Sequence, residues 1–284
     1  MRKIKKKHKA VPAPMGDLVT YRALPTREVE YIDPFLFLNH HGPQVYKPGN
    51  RGLPFGPHPH RGFETLTFIL DGDIMHQDTG GGKDVIEAGG VQWMTAGRGL
   101  IHAEVSSDKF KKEGGPLEIL QLWFNLPARH KMTEPKYIGL QKDKIPVVEL
   151  DNGMVRVNVV SGNWGEVQAP IQNLSDINMV SIEMEQGGTF VYNIPSERNI
   201  FFYVVRGAVK VNGETAEKLT LVEFENVGKE VKVEATENAY ILFGHAQPFR
   251  EPVVAHGPFV MNTEQEIQEA FRDYQLGKMG QWES

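Results

Sequence analysis

Four residues in the first half of the chain have the types and the spacing of metal ligands. His58 and His60 form one i, i+2 pair, and His102 and Glu104 form a second. On an extended strand, side chains two residues apart share a face and lie about 6–7 Å apart along it. Two such pairs on facing strands can surround one ion, because imidazole and carboxylate ligands reach about 2.0–2.2 Å to a metal. We therefore predict a mononuclear metal site with three histidines and one glutamate.

Composition indicates a globular protein and excludes several kinds of chemistry. The chain has 284 residues, 40% of them hydrophobic and 24% charged, which is enough for two ordinary domains. The absence of cysteine excludes disulfides, thiolate zinc sites and cysteine nucleophiles, and we expect a cytoplasmic protein. The formal net charge of −5 argues against direct nucleic-acid binding. No apolar run approaches the roughly 18 residues of a membrane span, so no membrane association is expected.

A basic block occupies residues 1–9, and no apolar segment follows it. This is not the pattern of a signal peptide or of a membrane anchor. Such a block can bind nucleic acid, but charged blocks are more often exposed to solvent. We expect a solvated, partly disordered tail.

The rest of the chain has the pattern of an all-β protein. Short runs rich in Val, Ile, Phe and Thr are separated by Gly, Pro, Asp and Asn, as at 64–70, 117–125, 200–205 and 239–243. Many short strands at regular spacing are typical of a sandwich, a barrel or a jelly roll.

The end of the chain is predicted to be helical. Thr263 can cap a helix together with Glu266, three residues further on. An apolar stripe follows at Ile267, Ala270, Phe271 and Tyr274, before Gly277.

A weak repeat relates the two halves of the sequence. Residues 67–72 (TFILDG) align with 202–207 (FYVVRG), and with a slightly different offset 119–127 (ILQLWFNLP) parallels 240–248 (YILFGHAQP). We infer two similar β-barrels, and we predict an N-terminal metal-binding domain, 1–140, and a C-terminal domain without metal ligands, 141–284.

The repeat also predicts where the metal lies. In this alignment His58 and His60 fall on Asn193 and Pro195, and the second ligand pair falls near Val231 and Val233. The second half therefore lacks the ligands.

A longer motif surrounds the predicted ligands. Gly52-x5-His58-x-His60-x3-Glu64, followed by Gly99-x2-His102, is the two-part pattern of cupins, which are small metal-binding jelly rolls. Residues 33–36 (DPFL), 58–65 (HPHRGFET) and 92–99 (QWMTAGRG) make the chain resemble, more closely, the pirin family of two-domain cupins (bicupins). The resemblance is strong over residues 30–127 and rests elsewhere on length, strand pattern and the terminal helix.

The resemblance implies a fold and a ligand set. The fold is all-β, with two cupin-type jelly-roll barrels packed face to face and a short C-terminal helix. The implied cofactor is one Fe²⁺ per chain, held in the N-terminal barrel by His58, His60, His102 and Glu104. Nickel, copper, manganese and zinc also suit these ligands, so the identity of the metal comes from the resemblance.

The generic cupin pattern and the pirin pattern disagree about the carboxylate. A generic cupin uses Glu64 as a ligand, whereas the pirin pattern uses Glu104. On a regular strand Glu64 would share a face with His58 and His60. We favour Glu104 as the ligand and Glu64 as an acceptor that orients an imidazole, and both remain candidates for the catalytic base.

Neighbouring polar residues are candidates for substrate binding. Asn39 stands where many pirins have an acidic residue, and His41 could replace that residue. His40 and His41 alternate across a strand, so at most one of them faces the pocket. Gln121 matches a pocket-lining glutamine of the family. His76 follows a turn and is expected at the surface.

The resemblance implies a metal-dependent oxygenase. Members of the pirin family are associated with quercetin 2,3-dioxygenase activity, in which dioxygen opens a flavonol with loss of carbon monoxide. The implied partners are a small flavonol-like aromatic substrate and dioxygen. Glu104 or Glu64 would accept the substrate proton.

Two alternatives stay open. The chain could be a metal-dependent regulatory protein of the transcriptional co-regulator type, which binds a protein partner without physiological catalysis. It could also be an oxygenase with a substrate other than a flavonol.

Overall fold

The computed structural model describes residues 1–282 and divides the chain into two compact units. The N-terminal unit comprises Pro12–Tyr21, Phe37–Asp143 and the residues from Arg250 on, and the C-terminal unit comprises Met1–Val11, Arg22–Leu36 and Lys144–Phe249. Each unit therefore includes a segment from the far end of the sequence. Whether residues 1–140 and 141–284 fold as independent domains stays a prediction.

Short β-strands make up most of both units. The first thirteen are β1 (Ile4–Lys9), β2 (Val11–Pro12), β3 (Thr20–Leu24), β4 (Phe35–Tyr46), β5 (Phe55–His60), β6 (Phe63–Asp71), β7 (Asp73–Asp78), β8 (Lys83–Glu87), β9 (Val91–Thr95), β10 (Leu100–Val105), β11 (Gly115–Asn125), β12 (Lys136–Leu140) and β13 (Val147–Leu150). The others are β14 (Val155–Ser161), β15 (Asn163–Trp164), β16 (Val167–Gln168), β17 (Asn178–Met184), β18 (Thr189–Asn193), β19 (Asn199–Arg206), β20 (Ala208–Val211), β21 (Glu214–Glu217), β22 (Thr220–Phe224), β23 (Glu230–Ala235), β24 (Ala239–Ala246), β25 (Val254–His256) and β26 (Phe259–Met261).

Two sheets form the sandwich of the N-terminal unit. One has the strand order β12-β9-β6-β11-β4-β3-β2, and the other has the order β5-β10-β7-β8. Neighbouring strands are antiparallel. Because successive side chains alternate between the faces of a strand, each sheet turns one set of side chains toward the space between the two sheets. That space holds the candidate site.

The C-terminal unit repeats this arrangement. Its sheets have the orders β1-β22-β19-β24-β17-β14-β13 and β18-β23-β20-β21. In the N-terminal unit β6 lies between β9 and β11, and in the C-terminal unit β19 lies between β22 and β24. These strands carry the segments that the sequence repeat aligned. The all-β, two-cupin fold is thereby confirmed.

The N-terminal basic block is an edge strand. β1 pairs with β22 in an antiparallel register, and His8 within it is buried. The expectation of a solvated tail was wrong, because carboxylates neutralise the lysines of the block, and the block can then pair with β22. The ion pairs are Lys3–Glu225 (2.9 Å), Lys5–Glu223 (2.7 Å), Lys6–Glu28 (3.0 Å) and Lys7–Glu214 (3.1 Å).

Two α-helices occur within residues 1–282. The predicted C-terminal helix is present as α2 (Glu264–Gln275), with the capping box of Thr263 and Glu266. Its buried stripe is narrower than predicted, because Tyr274 is 39% exposed. The short helix α1 (Asp108–Glu113) was not predicted. Single 3₁₀ turns span Ala128–His130, Lys142–Lys144 and Asp151–Gly153. No helix in the described part of the chain is long and apolar enough to span a membrane.

Candidate metal centre

Three histidines converge between the two sheets of the N-terminal unit. His58 and His60 lie on β5, and His102 lies directly opposite His58 on β10. One ring nitrogen from each histidine lies within 4.8 Å of those of the other two. His60 and His102 are buried, and His58 is partly exposed. The structure thus brings together the three histidines that the sequence predicted.

Hydrogen bonds to backbone carbonyls orient two of the imidazoles. His58 Nδ1 lies 2.7 Å from Gly56 O, and His60 Nδ1 lies 3.2 Å from Pro258 O. A carbonyl oxygen only accepts, so each Nδ1 carries a hydrogen, and in a neutral imidazole of this tautomer Nε2 has the lone pair.

Burial keeps the inner imidazoles neutral. Burial, together with the neighbouring His58, lowers the pKa of His60 to about 3. Burial and the surrounding histidines also lower the pKa of His102 well below its ordinary value. Neutral imidazole is the form that binds metals.

The donor set fits a divalent transition metal. Nε2 of His102 lies 3.0 Å from Nε2 of His58, whereas two ligand atoms at about 2.0–2.1 Å from one metal are about 3 Å apart when they are at right angles. Nδ1 of His102 is buried without a hydrogen-bond partner among the described residues. Nδ1 of His102 therefore lacks a partner in either tautomer. A cation between the Nε2 atoms of His58 and His102 would favour the tautomer with the hydrogen on Nδ1, because the lone pairs of both Nε2 atoms then point at the cation.

Glu104 lies at the edge of the histidine cluster and is tightly held. Its Oε2 is 3.9 Å from Nε2 of His102, but it is not among the atoms that all lie within 4.8 Å of one another. Gln121 Nε2 donates to Oε2 at 2.6 Å, and Thr67 Oγ1 donates to Oε1 at 3.3 Å. Gln92 Nε2 also donates to Oε1. Three donors thus fix the carboxylate beside His102.

Glu64 does not lie with the histidines. It is fully buried, and its Oε1 accepts hydrogen bonds from Trp93 Nε1 (3.1 Å) and Thr95 Oγ1 (2.7 Å) on the opposite face of β6. The face of β6 toward the cluster is the one that carries Thr67. The regular-strand expectation was wrong because the chain turns at Gly62, where φ is +87°, and the alternation of faces does not continue from β5 into β6. Carbonyls, not Glu64, orient the imidazoles of His58 and His60.

The three candidate substrate-binding residues make different contacts. Gln121 contacts Glu104 directly. His41 is buried, with Nδ1 2.8 Å from Thr20 Oγ1 and its ring 5.2 Å from that of Phe55 on the ligand strand β5. Asn39 is buried on the same face of β4, and its Nδ2 is 3.9 Å from Met15 Sδ. His40 points to the other face, where it pairs with Glu118 at 2.6 Å.

His76 is part of the interior, contrary to expectation. It is 1% exposed because β7 pairs with β10, which places His76 opposite Glu104. Its ring stacks on Tyr137 at 3.9 Å and lies 5.4 Å from the ring of His102. Its Nε2 pairs with Asp78 at 2.7 Å.

Sequence reasoning missed the two other donors to Glu104, Thr67 and Gln92. They are cross-strand partners on β6 and β9. Thr67 in LTFIL, Gln92 in VQWM and Gln121 in ILQLWF each have apolar neighbours on both sides. Such an isolated polar residue at an inward position is the signal that could have revealed them.

Aromatic side chains border the cluster on one side. Trp123 lies 5.3 Å from the ring of His60 and 4.5 Å from those of Phe37 and Phe63. Phe37 and Trp123 are partly exposed. Trp123 Nε1 donates to Gln121 Oε1 at 3.2 Å, which fixes the Gln121 amide with its nitrogen toward Glu104.

In the C-terminal unit the sequence repeat places Asn193 and Pro195 at the positions of His58 and His60, and the second ligand pair falls near Val231 and Val233. There β18 and β23 pair Tyr192 with Val231 and Phe190 with Val233. Phe190, Val231 and Val233 belong to a buried hydrophobic core. That the second half lacks metal ligands stays a prediction.

Comparison with protein families and curated relatives gives consistent matches. The pirin family model matches residues 17–124, and the model of the pirin C-terminal cupin domain matches residues 179–280. A pirin-like protein from Caulobacter vibrioides is 39% identical over 259 residues, which cover 90% of this chain and 91% of that protein. Pirin-like protein 2 from Arabidopsis thaliana is 38% identical over 272 residues, which cover 92% of this chain and 80% of that protein.

A solved structure matches over nearly the whole chain. It is the crystal structure of quercetin 2,3-dioxygenase from Acinetobacter baumannii, with a TM-score of 0.93 and 34% sequence identity, and the match covers 99% of both chains.

Proposed function

The chain belongs to the pirin family, and we propose that it is a metal-dependent dioxygenase of the quercetin 2,3-dioxygenase type. The observation that carries the proposal is the cluster of three imidazoles, two of them buried and neutral, within 4.8 Å of one another. The similarity in sequence and fold to the Acinetobacter baumannii enzyme supports the same reaction class.

His58, His60 and His102 would hold the metal, and Glu104 would complete the ligand set through Oε2. We propose Fe²⁺, one per chain, although other divalent transition metals suit these ligands. A metal bound there would supply Lewis acidity toward a flavonol hydroxyl and redox chemistry toward dioxygen.

Glu104 would accept the proton of the substrate hydroxyl. Thr67 and Gln92 hold Oε1, so Oε2 is the oxygen that Gln121 alone holds by a direct side-chain hydrogen bond within residues 1–282. A carboxylate oxygen has two lone pairs, so a substrate hydroxyl could donate to Oε2 with the Gln121 amide in place. The same oxygen would serve as ligand and as proton acceptor, so we propose that the two roles alternate. Glu64, on the opposite face of β6, is left out of the catalytic group.

The substrate would be a planar aromatic molecule. Trp123 presents a partly exposed ring beside His60, and the partly exposed ring of Phe37 stacks on Trp123. Aromatic rings stack favourably on one another. Asn39 and His41, buried on the neighbouring strand, would supply polar groups for flavonol hydroxyls. The burial of His60 and His102 would keep bulk water from the reacting atoms.

Two further expectations belong to this proposal. A cytoplasmic location rests on the absence of cysteine. Direct nucleic-acid binding is disfavoured, because glutamates already pair with four lysines of the basic block.

The test is an anaerobic reconstitution. Metal-free protein is loaded with one equivalent of Fe²⁺, mixed with quercetin and exposed to oxygen, and the quercetin absorbance is followed together with carbon monoxide release. The proposal predicts turnover that is lost in His58→Ala/His60→Ala. Fully loaded protein that leaves quercetin unchanged would contradict the flavonol assignment. If it also failed on other planar phenols, a regulatory role with a protein partner would become the better explanation.

A further inference from the structure

Residues 250–282, which we call the C-terminal arm, lie against the strand that carries His58 and His60. Residues 258–260 of this C-terminal arm run parallel to residues 60–62. A parallel bridge joins Arg61 to Phe259, and Val260 N donates to Arg61 O at 3.0 Å. At one end of this short pairing, His60 Nδ1 donates to Pro258 O at 3.2 Å.

Lys131 closes the other end of the pairing. Its Nζ donates to Gly62 O (2.8 Å), Val260 O (2.9 Å) and Asn125 Oδ1 (2.7 Å). Lys131 is 2% exposed, and its three acceptors match the three donors of an ammonium group. The approach is so close that a Cβ on Gly62 would lie 2.0 Å from Val260 O.

An ion pair and an apolar cluster hold the arm in place, and both include residues of its helix α2. Both terminal nitrogens of Arg61 donate to Asp273 Oδ2 on α2 at 3.0 Å, and Arg61 Nε donates to Arg98 O at 2.6 Å. Ile101, beside His102, packs in a cluster formed by the arm residues Phe259, Met261, Ile267, Ala270 and Met279. The arm therefore anchors both strands that carry the histidines.

We propose that the C-terminal arm positions His60 for metal binding, and this inference rests on the proposed metal site. The Pro258 carbonyl fixes the hydrogen of His60 on Nδ1 and so turns Nε2 toward His58 and His102. Lys131 and Asp273 are positioning residues, because they hold the pairing between the arm and residues 60–62 without touching the cluster. Groups that orient a metal-binding histidine typically contribute about 10–100-fold to metal affinity.

The variants are Lys131→Met, which keeps the length of the side chain without its charge, and Asp273→Asn, which keeps its shape. Lys278→Met is the matched control, because Lys278 also pairs with Asp273, at 2.7 Å, but its ammonium group is exposed. Metal-free proteins are titrated with Co²⁺ to measure Kd. Pulsed EPR of the Cu²⁺-loaded proteins counts the coordinated imidazoles. ¹⁵N NMR of the metal-free proteins reports the tautomer of His60.

The wild type and Lys278→Met are expected to show three coordinated imidazoles and an Nδ1–H tautomer for His60. Lys131→Met is expected to weaken Co²⁺ binding about 10–100-fold, to lose one imidazole from the EPR count and to mix the His60 tautomers. Asp273→Asn should shift the same readouts by less.

Two results would overturn the inference. One is a folded Lys131→Met protein with unchanged Kd, imidazole count and tautomer. The other, should that variant not fold, is an Asp273→Asn protein identical to Lys278→Met in all three. A wild type that binds no metal would contradict the proposed function instead, and the tautomer of metal-free His60 would still test the role of the arm.

Discussion

Glu104→Gln is a sharp probe of how the carboxylate is held, because the new amide has one acceptor where Glu104 has two. Its oxygen can take the place of Oε1 and keep the bonds from Thr67 and Gln92. Its NH₂ group then meets the NH₂ group of Gln121, which now donates to Oε2. Gln121 cannot turn, because its own Oε1 accepts from Trp123 Nε1.

The expected loss of stability corresponds to one hydrogen-bond donor that has no acceptor. A buried donor left without an acceptor costs about 1–3 kcal/mol, and we expect Glu104→Gln to lower the free energy of unfolding of the metal-free protein by this amount. Trp123→Phe keeps an aromatic ring beside Phe37 but removes the donor that locks Gln121. In the Trp123→Phe protein Gln121 can turn, so Glu104→Gln should lower the free energy of unfolding by about 1–2 kcal/mol less than it does in the wild type. A coupling energy of this size is ordinary for contacting residues.

The assay is urea unfolding of the four proteins of this double-mutant cycle, followed by circular dichroism. Hydrogen exchange of peptides from β6 and β11 assigns the transition to the N-terminal unit. Glu87→Gln, on an exposed position of β8, is the matched control and should be neutral. Removal of a buried charge can also stabilise a protein. A neutral or stabilising Glu104→Gln, or an equal cost in both backgrounds, would show that Trp123 does not lock Gln121 against Glu104.

Three further predictions concern the backbone, the arm and the substrate. Gly62→Ala should destabilise the protein by about 2–5 kcal/mol, because the new Cβ meets Val260 O at a positive φ; urea unfolding should show Gly56→Ala, which has open space, to be nearly neutral. Lys278, with Arg61, holds the pKa of Asp273 below its ordinary 3.8. The contribution of the Asp273 carboxylate to stability is therefore present above about pH 3.8 and is lost as the pH falls through the lower pKa of the folded protein. Thermal unfolding of metal-free wild type and Asp273→Asn should therefore converge in acid, and parallel curves from pH 5 to pH 3 would count against the ion pair. Phe37→Ala should raise KM for quercetin about 2–10-fold, since an aromatic pair contributes about 0.5–1.5 kcal/mol; steady-state kinetics with unchanged KM would remove Phe37 from the substrate site.

Much of the fold could be predicted because its signals are local. Alternating apolar residues predict the strands, and the repeat correctly matched β6 with β19. The capping box of Thr263 and Glu266 predicted the start of α2. The basic block was misjudged because its glutamate partners, such as Glu223 and Glu225, lie more than 200 residues away in sequence, and pairing at that distance has no local signal.

Within the candidate site, only the ligand pairs could be predicted from the sequence. The i, i+2 spacing placed His58, His60 and His102 together because β5 and β10 are antiparallel neighbours with His102 opposite His58, although the register shifts between His102 and Glu104. The same rule failed for Glu64, because a left-handed Gly62 interrupts the alternation. The carbonyl that orients His60 belongs to Pro258, 198 residues further along the chain. Backbone partners depend on tertiary pairing, and no residue type marks them in the sequence.

The histidine site is tested most directly by the metal content of purified protein after metal removal and reloading with Fe²⁺ under anaerobic conditions. We expect about one ion per chain in the wild type and none retained in His58→Ala/His60→Ala, with both proteins folded by circular dichroism. Equal metal content in the two proteins would contradict the claim that these histidines form the site.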